Sequence, residues 1–278
     1  MRALALVVLL FGCGSSNDGP PPKTYGGDRP ADLHTPTTLT EGKKYPLLVV
    51  LHGFTATGFA QYAFFNAGAL VNSDSALVIA PDGTTNSAGQ QFWNADPACC
   101  DFEGQHPDDV AYIGGLIDDI VADWPIDKTQ VYVLGHSNGG YMAYRMACER
   151  ADVIAAIGSL AGNAATTASG CHPAKPVSVL QLHGTSDDTV PYAESPGAVF
   201  DVAQWAQHDG CGTARTPTVT LDLDTQVAGT ETHGEATGGC PSGVAVDLWT
   251  MEGSGHIPLF NAHAIDDIFG WLTAHKRG

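Results

Sequence analysis

Basic side chains are scarce. Twelve Lys and Arg stand against 30 Asp and Glu, a formal net charge of −18 over 278 residues. A protein that grips a nucleic-acid backbone needs a clustered basic face, and the basic doublets here, Lys43-Lys44 and Lys276-Arg277, are too small to make one. Nucleic acid is therefore excluded as a partner, and an anionic bilayer surface is disfavoured on the same ground. The amino-terminal apolar run, residues 3–11, is less than half the length of about 20 residues that a membrane-spanning helix needs. C-x2-C spacing is absent, which removes the usual thiolate signature of a zinc site. Beyond residue 30 no linker, repeat or low-complexity tract interrupts the chain, so residues 31–278 read as one domain.

What is present at the amino terminus is an export pattern. Arg2 precedes the nine apolar residues, as in the hydrophobic region of a signal peptide. Leu10-Phe11-Gly12-Cys13 resembles a bacterial lipobox, in which the cysteine is lipidated and becomes the first mature residue. On this reading residues 1–12 are a lipoprotein-type signal peptide, and residues 13–30, rich in Gly, Ser and Pro, are a flexible tether. The expected location is extracytoplasmic, secreted or held to the bacterial cell envelope. A lipid on Cys13 is the one membrane contact expected, and the protein is otherwise expected to be a monomer. Export makes disulfides chemically reasonable. Setting Cys13 aside leaves Cys99, Cys100, Cys148, Cys171, Cys211 and Cys240, an even set with 15 possible connectivities.

The remainder alternates buried strands with amphipathic helices. Pro46–Leu51, Ala76–Ala80, Val131–Leu134, Ile154–Ile157 and Val177–Leu182 are short continuous apolar runs, the pattern of strands covered on both faces. Val110, Ile113, Ile117, Ile120, Val121 and Trp124 recur at helical spacing, with Asp108 placed to cap that helix and Pro125 to stop it. A second helix is read over Tyr141–Arg150, and a last one carries Ile265, Ile268, Phe269 and Leu272 on one face. The alternation predicts an α/β fold with a mostly parallel central sheet flanked by helices. In such sheets, sites gather at the carboxyl ends of the strands.

Directly after the 131–134 run stands Gly135-His136-Ser137-Asn138-Gly139, a G-x-S-x-G pattern between a strand and a helix. A serine hydroxyl is a weak nucleophile until a base takes its proton, and the base needs a third group to orient it. Candidates follow in the chain: Asp187 or Asp188 after the 177–182 run, then His256 in a Gly-rich loop before the last helix. His52, His136 and His183 sit at strand ends or in the elbow and are assigned no proton transfer. The oxyanion would be held by the backbone N–H groups of Asn138, after the serine, and of Phe54 in loop 52–58. Phe54, Trp93, Tyr141, Tyr192 and Phe260 lie beside these motifs and are candidates to line an apolar slot. Trp93 leads because it falls in a loop after a strand end. Its truncation is expected to raise KM for aryl esters with little loss of fold.

With Pro46–Gly53, Pro81-Asp82-Gly83, Trp93-Asn94-Ala95, Asp108-Asp109-Val110, Gly135–Gly140 and His183–Asp187, the chain resembles the polyhydroxybutyrate depolymerase and feruloyl esterase group of α/β-hydrolase serine esterases. The likeness spans about residues 44–275. It implies an α/β-hydrolase fold and a secreted carboxylic ester hydrolase that works through an acyl-enzyme, without metal or organic cofactor. It implies Ser137 as nucleophile, His256 as base and then acid, and Asp187 rather than Asp188 as orienter. The implied substrates are neutral feruloyl, aryl or hydroxyalkanoate-type esters, small or polymeric. Ile257-Pro258-Leu259-Phe260 stands where depolymerising members often carry Trp-Pro. The resemblance also favours a Cys211–Cys240 disulfide around an acidic surface insertion, residues 221–239, with Cys99 and Cys100 bonded separately to Cys148 and Cys171. A peptidase of the same fold and a non-catalytic, glycan-binding surface lipoprotein are the competing readings.

Overall fold

The structure, a computed structural model, describes residues 21, 23–164, 170–193 and 197–278. Cys13 and the signal-peptide reading lie outside the described residues. Residues 24–30, read from sequence as the end of the tether, are instead part of the domain. Strands β1 (Thr24–Tyr25) and β2 (Ala31–His34) pair antiparallel. The Tyr25 hydroxyl donates to Asp123 and accepts from the Trp124 indole. Arg29 pairs with the buried Asp109 at 2.7 Å and lies over the Tyr112 ring. Composition alone hid these anchors, because Gly26 and Gly27 give the segment a linker-like look while making its turn at positive φ.

Strand β3 (Tyr45–Leu51) is buried throughout and leads into α1 (Gly58–Phe64) and α2 (Gly68–Asn72). Then come β4 (Leu77–Ile79), the small hairpin β5 (Thr84–Thr85) and β6 (Gln91–Phe92), and α3 (Asp109–Asp123). Asp108 caps α3 as expected, its carboxylate accepting from Ala111 N–H. Next are β7 (Ile126–His136), α4 (Asn138–Glu149), β8 (Ala156–Leu160) and β9 (Ser178–Gly184). The chain closes with α5 (Ala198–His208), β10 (Arg215–Leu221), β11 (Thr232–Thr237), β12 (Val246–Met251) and α6 (Ala264–Ala274).

Ten strands form one sheet in the order β1-β2-β4-β3-β7-β8-β9-β12-β11-β10. The six from β4 to β12 are parallel, and both edges are antiparallel. Alternation along each strand divides the core. Leu47, Val49 and Leu51 face α3, α4 and α5, while Leu48, Val50, Tyr132 and Leu134 face α2 and α6. Apolar residues on both faces explain why these strands read as unbroken apolar runs. The chain leaves β3 toward β4 on one side and reaches β7 on the other. The loops after β3 and β7 therefore meet at a topological switch point.

Two cysteine expectations are corrected and one holds. Cys211 and Cys240 are bonded, as the resemblance implied. Cys148 and Cys171 pair with each other, their Cα atoms 5.6 Å apart, which leaves the neighbours Cys99 and Cys100 to bond together. The 221–239 insertion, expected as a surface hairpin or loop, takes in the end of β10, the turn and β11, an antiparallel pair at the sheet edge. Strands β10 and β11 extend the main sheet by antiparallel pairing on β12. No described helix is long and apolar enough to cross a membrane.

One buried carboxylic acid makes stability depend on pH. Asp201 on α5 is fully buried, and burial pushes its pKa up to about 7. A raised acid pKa means that the folded state holds the proton longer than the unfolded chain does. Its contribution is complete below the unfolded value near 4 and is lost as pH rises through about 7, on the order of 4 kcal/mol at most. Asp201→Asn is therefore expected to unfold at higher temperature than the parent at pH 8 and at nearly the same temperature at pH 4. Equal melting shifts at both pH values would refute this account.

Candidate active site

Ser137 sits in a forced turn. It joins the end of β7 to the start of α4 with φ of 53°, a left-handed conformation rare outside glycine. The glycines around it are steric necessities. A Cβ on Gly135 would lie 2.0 Å from the Gly139 carbonyl oxygen, and one on Gly139 would lie 2.2 Å from that of Leu51. The turn thus brings α4 against β3 and leaves the Ser137 hydroxyl facing the loops.

That hydroxyl meets His256 in the loop between β12 and α6. Ser137 Oγ lies 2.9 Å from His256 Nε2, and His256 Nδ1 lies 2.8 Å from Asp187 Oδ2. With the carboxylate as acceptor, Nδ1 carries the hydrogen and Nε2 is free to accept from the serine. Asp187 is buried in the turn after β9, whereas Asp188 is exposed and accepts from the hydroxyl of its neighbour Thr189 at 3.4 Å. Burial alone would oppose ionisation of Asp187. Hydrogen bonds from His183, His256 and the backbone N–H groups of Val190 and Thr189 outweigh it and hold the carboxyl well below the usual carboxylate range. The arrangement can carry a proton from serine to imidazole beside a permanent negative charge.

His183 and His136 brace the turns around the site. His183 Nδ1 accepts from Gln181, so its Nε2–H faces Asp187 Oδ2 at 3.2 Å and the Val190 carbonyl at 2.7 Å. Gln181 also accepts from the Tyr144 hydroxyl on α4. His136 donates from Nε2 to the carbonyl of His256 at 2.9 Å, and burial lowers its pKa to about 4, so it stays neutral there. The insertion between Cys211 and Cys240 fastens the histidine loop from outside. Asp224 accepts from Leu259 N–H, Thr225 donates to the Leu259 carbonyl, and Gln226 donates to that of Ile257. Sequence reading missed this role, because Asp224 and Gln226 carry no motif and stand more than 30 residues before the loop they hold.

Asn138 opens α4, so its N–H is one of the helix donors without an intrahelical acceptor. Phe54 lies between Gly53, whose N–H goes to Gln61 Oε1, and Thr55, whose N–H goes to the Gln91 carbonyl. Both Phe54 and Ser137 line one cavity of about 330 Å³ with Ala56, Ala60, Phe64, His256 and Ile257. A separate cavity of about 680 Å³, bordered by Asp96, Asp101, His106, Arg145 and Glu149, contains none of these residues.

The substrate-slot expectations need correction. Trp93 is wholly buried: its indole donates to the His52 carbonyl, and its backbone N–H and C=O are both bound by the Asn138 amide. It supports the elbow from beneath, so truncating it removes core packing as well as any effect on KM. Tyr141 is half-buried against the core on α4 and is not part of the Ser137 cavity. Tyr192 packs against His183 and bonds Thr250, and Phe260 backs Phe64 and Phe65. The residue that sequence reading passed over is Phe64, which α1 turns toward the serine and against the His136 ring.

Comparison with known proteins agrees with this architecture. The family described as "Putative esterase" matches residues 23–219. Feruloyl esterase B of Piromyces equi is 29% identical over 236 residues, covering 80% of this chain but 41% of its own length. A protein of Aspergillus flavus named "Probable feruloyl esterase C" is 27% identical over 230 residues, 76% of this chain and 75% of its own. Among solved structures, an acetyl xylan esterase from Aspergillus awamori superposes with a TM-score of 0.64 at 18% identity, over 88% of this chain and 94% of the other. The fold is thus that of the α/β hydrolases.

Proposed function

The chain belongs to the esterase family, and from that premise we propose that it is a carboxylic ester hydrolase in which Ser137, His256 and Asp187 perform the hydrolysis through an acyl-enzyme. The supporting observation is the unbroken sequence of contacts from Ser137 Oγ through His256 to Asp187, opening on an apolar cavity. Ser137 attacks the ester carbonyl as His256 Nε2 takes its proton. The tetrahedral oxyanion is held by the N–H groups of Asn138 and Phe54. His256 then returns the proton to the departing alcohol, and water repeats the sequence to release the acid.

The substrate is a neutral ester with an apolar acyl or aryl group, of feruloyl or hydroxyalkanoate type, with polyesters as an extension. A cavity walled by Phe54, Phe64 and Ile257 supports an apolar group, and the net charge of −18 disfavours free anionic acids. Three disulfides among the described residues suit an oxidising, extracytoplasmic compartment, with Cys13 as the lipid-bearing residue. Labelling with a fluorophosphonate is the test. One adduct at Ser137, absent from Ser137→Ala, together with hydrolysis of methyl ferulate or p-nitrophenyl esters, is the expected result. No adduct would move the protein to the glycan-binding reading, and amide hydrolysis at a rate rivalling the esters would move it to the peptidases.

A further inference from the structure

Phe102 is an exposed aromatic held in place. Its ring is 70% accessible, yet it meets the Phe54 ring edge-on at 5.4 Å, and Phe54 walls the cavity at Ser137. The loop that carries it is tied on both sides. Asp96 and Cys99 exchange two backbone hydrogen bonds, and Asp96 Oδ1 accepts from Ala98 N–H at 2.8 Å. The Asp101 carboxylate accepts from the N–H groups of Gln105 and His106 at 2.9 and 2.6 Å. Glu103 accepts from the Ser87 N–H at 3.0 Å and from its hydroxyl. Directly after His256, Ile257 is 63% exposed and lines the same cavity.

Exposed apolar groups that ring a cleft gain little from folding, since most of their surface stays wet. They gain when a ligand covers them, and a fixed aromatic loses little side-chain freedom at that step. Resting on the hydrolytic reading of Ser137, we propose that Phe102 is a specificity-determining residue. With Ile257 it forms the outer lip of the cavity and clasps an aromatic ring of the ester that extends beyond the reacting carbonyl. The two rings meet nearly perpendicular, and the exposed Phe102 keeps a face open for a planar neutral ring. Glu103 acts on this lip as a positioning residue.

The experiment compares Phe102→Ala, Phe102→Trp and Glu103→Ala on ethyl acetate, phenyl acetate and methyl ferulate. Phe102→Ala is expected to lower kcat/KM about 5- to 10-fold for at least one aromatic ester. The loss should fall in KM, with ethyl acetate unchanged. Phe102→Trp restores the aromatic ester, and Glu103→Ala shows a smaller loss, also in KM. An equal loss on ethyl acetate, or no loss on either aromatic ester, would overturn the proposal. Failure of the hydrolytic reading itself would show differently, as no Ser137-dependent hydrolysis of any of the three by the parent protein.

Discussion

Ser137→Ala lowers the turnover of p-nitrophenyl esters by about 10⁴- to 10⁶-fold, His256→Ala costs about as much, and the double substitution costs little more. Non-additivity follows from geometry. The hydroxyl and the imidazole face each other at 2.9 Å, and in the proposed mechanism they share one proton transfer, so removing either partner would idle the other. In the proposed mechanism the residual rate would come from the N–H groups of Asn138 and Phe54, polarising a bound carbonyl without a nucleophile. Both side chains are small contributors to the core, and unchanged melting temperatures are the control. A Ser137→Ala protein that keeps more than about one hundredth of the parent rate would exclude Ser137 as nucleophile, and a His256→Ala protein that does so would exclude His256 as its base.

Asp187→Asn is expected to cost about 10⁴-fold in kcat, while Asp188→Asn stays within about twofold of the parent. The amide at 187 can present its NH2 to His256 Nδ1, favouring the tautomer in which Nε2 holds the hydrogen and can no longer accept from Ser137. Asp188 is exposed and makes no contact with the imidazole. Because hydrogen bonds hold the Asp187 carboxyl well below the usual range, it remains ionised throughout the acid limb of the pH–rate profile. Replacing residue 188 should therefore leave the shape of that profile unchanged. Comparable losses in the two variants would show that the neighbouring carboxylates share the task.

Legibility in the sequence tracked the range of the forces involved. The elbow was readable because its glycines, serine and flanking strand are adjacent in the chain, and Asp108 could be recognised as a cap within one turn of its helix. The acid left two candidates by spacing alone. Only the three-dimensional turn after β9, which buries Asp187 and exposes Asp188, separates them. Trp93 misled because a loop aromatic beside a motif has the same letters whether it faces a ligand or the core, and here the Asn138 amide draws its backbone inward. The grip of Asp224 on the loop after His256 was invisible for another reason. It is a long-range contact between a carboxylate and a backbone N–H, and any residue except proline supplies that N–H.

Helix α4 holds both ends of one hydrogen-bonded path: Ser137 caps its amino end, and Tyr144, two turns on, donates to Gln181. From Gln181 the path runs through His183, Asp187 and His256 back to Ser137. In mechanical terms this is a closed linkage, with the helix as one rigid bar. A shift of α4 over β7 and β8, on which it packs, would disturb the joints at Ser137 and at Tyr144 together. Loss of hydrolysis on heating is therefore expected to coincide with the temperature at which α4 leaves the sheet.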